Sequence, residues 1–180
     1  ASSQVCVVKP ANLVNSIINN IVLSHDQATA VFLDMDPRAF LIAVLRGGSA
    51  RVAFIYRVIE NLRSACPAHS RLLDGLGVGD TLAMTARKIL LAHMMQTAIF
   101  ADAMKLLPDH RYLHLSYEQL LAAPQMHVHK IASLFELGLS DEQIEKNIES
   151  SFKRHSKADG LPFDQASAAE VDTQVVGLYG

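Results

Sequence analysis

Three short runs, "VCVVKP" at 5–10, "AVFLDM" at 30–35 and "YLHLSY" at 112–117, are rich in Val, Leu, Phe and Tyr and stand apart with helical apolar spacing between them. Strands that alternate with helices are joined by crossovers, and crossovers favour a parallel sheet with helices against its faces. The expected fold class is therefore α/β and three-layered, with a small parallel sheet and most of the mass in helices.

Between the first two runs, Leu13, Val14, Ile17, Ile18, Ile21 and Val22 line one face of a helix over Asn12 to Leu23. After the second run, Pro37 presets a first helical turn, and apolar spacing through Phe40, Leu41, Val44 and Leu45 runs to Gly47-Gly48, a stop signal. A further helix is expected over Ala50 to Ser64, and the Gly- and Pro-containing stretch 67–80 reads as a loop. Leu82, Ala86, Leu90, His93, Thr97, Ala101 and Met104 then mark one stripe of a long helix that ends before Pro108. Its middle is apolar almost all round, which predicts a central position, with Met84, Met94, Met95 and Met104 as core filler. Helices at 125–136 and 140–152 follow, the second capped by Ser140 with Asp141, Glu142 and Gln143 in its first turn. Residues 1–180 read as one domain, with a weakly patterned tail over 159–180.

Apolar residues make up 50% of the chain and the mean hydropathy is +0.19, so part of the surface is expected to be covered, by a second copy in a homo-oligomer or by a missing N-terminal half. A net charge of −2 provides no basic field, which excludes nucleic acid and acidic lipid as main partners. The apolar stretch 89–107 has spanning length but carries His93, Gln96, Asp102 and Lys105, so it reads as a buried helix with no membrane partner. Cys6 and Cys66 have no paired spacing, which argues against a disulfide framework or a zinc site and for a cytoplasmic location. "ASSQVCVVKP" lacks the basic-then-apolar pattern of a signal peptide. His127 and His129 fall on different helix faces, so joint metal binding is not expected.

The stretch "VFLDMDPRAFL" carries two acids at a strand-to-helix junction, the place where open α/β sheets bind ligands. Asp34-Met35-Asp36 resembles the first motif of haloacid dehalogenase-like phosphatases. That resemblance implies Asp34 as nucleophile and Asp36 as acid/base, with Ser116 in the place of the second motif. The motif calls for Thr or Val two residues after the second acid, and Arg38 stands there. No later strand ends in the paired acids that would hold magnesium.

A second resemblance covers about 5–160. "LSYEQLLAAPQMHVHKIASLFELGLS", with Tyr117, Glu118, Leu120, Leu121, Pro124, Phe135, Leu137 and Gly138, is similar to the strand, Tyr-Glu corner and helix of PAPS-dependent sulfotransferases. "VVKPAN" resembles that family's Lys-Pro strand end, Asp36-Pro37 its Arg-Asp-Pro turn, and "SFKRHSKADG" the approach to its cofactor loop, all in the family's order. The resemblance implies a P-loop NTPase-like fold and sulfate transfer from PAPS to an acceptor. PAPS or adenosine 3′,5′-bisphosphate would then be held by Lys9, Arg38, Lys153, Arg154 and Lys157. The sequence departs from the family in three ways. The phosphosulfate-binding loop expected upstream of Val5 has no counterpart, Met35 replaces the Arg that meets the 3′-phosphate, and Ala43 replaces a Ser. By itself the chain is expected not to transfer sulfate, and a non-catalytic interaction module on the same scaffold is the alternative. On this resemblance the acid pair is mainly a corner, with Pro37 in the first turn and Asp36 near the helix's positive end.

Overall fold

The computed structural model describes Val7, residues 12–76 and residues 81–152. A 3-10 turn at Asn12–Ile17 leads into α1 (Ile18–Ser24), then β1 (Ala30–Asp34), α2 (Pro37–Arg46), α3 (Gly48–Leu62), α4 (Pro67–Gly75) and α5 (Leu82–Leu106). A second 3-10 turn at Asp109–Arg111 opens β2 (Tyr112–Ser116), followed by α6 (Tyr117–Ala122), α7 (Pro124–Leu134) and α8 (Asp141–Phe152). Among the described residues the fold is α/β, mostly helical, with a two-stranded parallel sheet. The strand expected at 5–10 and the tail at 159–180 lie outside the described residues, apart from Val7, which is exposed.

β1 and β2 pair in register, Ala30 beside Tyr112 through Asp34 beside Ser116. Alternate residues of a strand point to opposite faces, so Ala30, Phe32, Asp34, Tyr112, His114 and Ser116 share one face. Phe32 is fully buried there against Val22 of α1 and Ala103 of α5, with the Phe100 ring 5.3 Å away. Leu115 points the other way and is buried as well, and α7 is the longer of the two helices packed against β2. Arg111 ties the strand starts together, its guanidinium donating to the carbonyls of Ala28 and His25 at 2.8 Å each.

The larger core is helical. Ile55, Val58, Ile59 and Leu62 stand at i, i+3, i+4 and i+7 of α3 and bury completely against Leu41 and Val44 of α2 and the middle of α5. Each such side chain contributes about 1.5–3 kcal/mol when removed from water. α5 is central as its composition predicts, but its buried stripe differs from the expected one. Ala86, Ile89, Ala92, Gln96, Ile99 and Ala103 face inward, whereas Leu82 is exposed and Leu90 only half-buried. A helix that is apolar nearly all round does not announce which face its neighbours will take. Met95 is buried but Met94 is exposed, so only part of the methionine set fills the core. Gln96, a polar residue within this stripe, accepts a hydrogen bond from Asn15 Nδ2 at 3.2 Å, which anchors the first 3-10 turn to α5.

The expected loop at 67–80 is a correction: Pro67–Gly75 is α4, with Pro67 in its first turn. Ser70 Oγ donates to the carbonyls of Arg63 and Cys66, which fixes α4 against the end of α3. Among the described residues no helix is long and apolar enough to cross a membrane.

Candidate functional site

Each strand runs directly into a helix, and both corners stand at the carboxyl end of the sheet. At the end of β1, Asp36 is the N-cap of α2: its Oδ1 accepts from the backbone N–H of Arg38 at 2.9 Å and of Ala39 at 3.1 Å. Pro37, which has no N–H to satisfy, occupies the next position. At the end of β2, Ser116 caps α6 through a full capping box with Gln119, Ser116 Oγ accepting from Gln119 N and Gln119 Oε1 accepting from Ser116 N. α6 therefore begins at once, with Tyr117 and Glu118 in its first turn.

The two corners touch. The Asp36 N–H donates to Glu118 Oε1 at 3.1 Å. One residue earlier, His93 of α5 places Nε2 2.7 Å from the Met35 carbonyl oxygen, with its ring tilted against Phe40 of α2 at 5.2 Å. His93 therefore bonds to the residue just past β1 and not to Thr97 one turn along α5, whose Oγ1 donates to Met94 O. Next to the corner, Asp34 Oδ2 lies 2.8 Å from His114 Nε2, with the histidine nearly half exposed. Asp34 stands beside Ser116, so His114 is its diagonal neighbour on the same face, a cross-strand pair.

Chemically the corner is acidic. Asp34, Asp36 and Glu118 gather around it, and Arg38 on the first turn of α2 is the expected cofactor cation that the described residues bring there. The first free N–H groups of α2, normally an anion site, are already occupied by Asp36, so an incoming phosphate would have to displace a carboxylate. Asp36 thus behaves as a helix cap and Ser116 as another. Among the described residues no group of three or more His, Cys, Asp or Glu side chains is placed to hold a metal ion. Of the remaining expected cofactor contacts, Lys9, Lys153, Arg154 and Lys157 lie outside the described residues. His127 is buried and His129 approaches Asp141 at 3.6 Å, so the two histidines do face differently.

Two contacts at the corner could not be read from the sequence. His114 alternates with Tyr112 and Ser116, so its meeting with Asp34 depends on strand register, which no local pattern fixes. Glu118 is part of a recognisable motif, but its contact with Asp36 joins residues on separate strand ends.

No family model matches the chain, and no curated protein or solved structure matches it.

Proposed function

We propose that the chain is a sulfotransferase-like nucleotide scaffold. It would meet the 3′-phosphate of PAPS or adenosine 3′,5′-bisphosphate at the carboxyl ends of β1 and β2, and take part in sulfate transfer where a phosphosulfate loop completes the site. The observation that carries this reading is the meeting of Asp36-Pro37 with Tyr117-Glu118. These are two of the stretches on which the resemblance rests, and they stand at the ends of paired parallel strands, joined by the Asp36–Glu118 hydrogen bond. Ligands of open α/β sheets bind outside the carboxyl ends of the strands. The three-layered, P-loop NTPase-like arrangement belongs to the same proposal, and the packing of α1 and α5 on one face and of α7 against β2 supports it.

Binding at this corner is weak on the same reading. Met35 supplies no charge where the family has a guanidinium, three carboxylates oppose an anion, and Asp36 holds the helix donors. A charge-assisted hydrogen bond contributes about 1.5–3 kcal/mol, so the missing Arg alone lowers affinity by roughly one to two orders of magnitude. Titration calorimetry with adenosine 3′,5′-bisphosphate on the wild type and on Met35→Arg tests this. We expect weak binding by the wild type and a gain of about tenfold or more in the variant. Tight wild-type binding would refute the impairment, and no gain would refute the placing of residue 35 beside the phosphate.

The acidic corner also favours a second reading, an interaction module that keeps the scaffold without the chemistry. It predicts no nucleotide binding in either protein.

A further inference from the structure

We infer that His93 and Glu118 are positioning residues that clamp one peptide group, the Met35–Asp36 peptide, from its two sides. The carbonyl oxygen that His93 meets at 2.7 Å and the N–H that Glu118 accepts from at 3.1 Å belong to the same planar unit. A carbonyl oxygen can only accept, so His93 carries its proton on Nε2 and donates. Hydrogen bonds at both ends of one amide polarise it and reinforce each other.

The two clamping side chains are themselves held. The His93 ring rests on Phe40, whose own N–H makes a helical bond back to Asp36 O at 2.9 Å. Glu118 is set by the capping box that starts α6. The peptide plane is thus fixed by α5 and α6, helices that precede and follow β2, and not only by the turn between β1 and α2. The orientation of that plane decides the direction taken by side chain 35 and the position from which Asp36 caps α2. Resting on the proposed function, the clamp would aim an Arg at position 35 toward the phosphate.

Amide hydrogen exchange of Asp36, followed by NMR on the full chain, reads the clamp without any ligand. Relative to the wild type, Glu118→Ala is expected to speed exchange of this amide about tenfold or more. Glu118→Gln, whose amide oxygen still accepts, should keep the protection. His93→Phe preserves ring packing on Phe40 but removes the donor, and its effect should be less than additive with that of Glu118→Ala. Unchanged Asp36 exchange in Glu118→Ala, or equal loss in Glu118→Gln, overturns the inference; a far-UV circular dichroism melt of each variant establishes that it is folded.

A second arm uses adenosine 3′,5′-bisphosphate in the Met35→Arg background. Glu118→Ala should lower affinity about tenfold, while Glu118→Gln, which removes a negative charge and keeps the hydrogen bond, should hold or raise it. If no variant binds the nucleotide, the proposed function fails, and the Asp36 exchange rates still decide the clamp.

Discussion

Asp36 holds the start of α2 through one carboxylate oxygen, which accepts from the N–H groups of Arg38 and Ala39. Its cap on α2 needs only the next three residues, and Asp-Pro before an apolar helical pattern announces it. Cys66 belongs to the helical core, and its surroundings carry a consequence for pH. The thiol is buried and donates to Met95 O at 3.5 Å, and burial first, with the negative charge of Asp102 second, pushes its pKa above the ordinary value of 9.0. A thiol whose folded pKa is raised stays protonated in the fold after the unfolded chain has begun to ionise. Its contribution is fully present below the unfolded value and is lost as pH rises toward the folded one. Urea unfolding from about pH 8 to about pH 10 should therefore show wild-type stability falling, by at most about 1.4 kcal/mol per pH unit from this group. Cys66→Ala should start lower, through its cavity, and fall less steeply. Parallel slopes for the two proteins would remove burial of this thiol as a source of alkaline instability.

The elements with strong periodicity were legible, and those whose burial is slight were not. α3 could be anticipated because Ile55, Val58, Ile59 and Leu62 repeat at helical spacing, whereas α4 has no buried residue and so no apolar stripe to betray it. Pro67, read as a breaker, instead sits in the first turn of α4, where a missing N–H costs nothing. The site divided the same way. The Asp36 cap was visible in a short stretch and the Ser116 cap was not read, while the Asp34–His114 and Asp36–Glu118 contacts depend on the pairing of β1 with β2 across the intervening helices. At the α2–α3 joint the expected stop at Gly47-Gly48 is present for two different reasons. A Cβ on Gly47 would lie 2.6 Å from Arg51 Cβ, part of the fixed stem of α3, while Gly48 has φ +66° with open space around it. Gly47→Ala must open the joint and is expected to cost about 1–3 kcal/mol, as overpacking does. Gly48→Ala meets only backbone strain, about 1–2 kcal/mol. Denaturant midpoints measure both, and a Gly47→Ala protein as stable as wild type would mean that α2 and α3 are not packed this closely.

At the scale of the whole molecule, α5 is the shared member of two cores. Its Ile89, Leu91, Ala92, Met95 and Ile99 pack with α2 and α3, and its Ala103, with Leu107 just after the helix end, packs with Phe32 and Val22 around the sheet. A continuous helix transmits disorder along its length, since neither core can lose α5 without exposing the apolar face it contributes to the other. The described fold should accordingly unfold as one cooperative unit. Ile59→Ala, in the helical core, and Phe32→Ala, under the sheet, should cost about 2–5 and about 3–5 kcal/mol respectively. Both should lower one and the same transition. The chain has no Trp, so tyrosine emission reports the packing, with Tyr56 beside the helical core and Tyr112 in the sheet. Thermal melts followed by far-UV circular dichroism and by tyrosine fluorescence should coincide for wild type and both variants. A Phe32→Ala protein that loses tyrosine signal in an early step while keeping a late, wild-type-like helical transition would show that the sheet and its corner melt independently of the helical core, and would break the continuity assigned to α5.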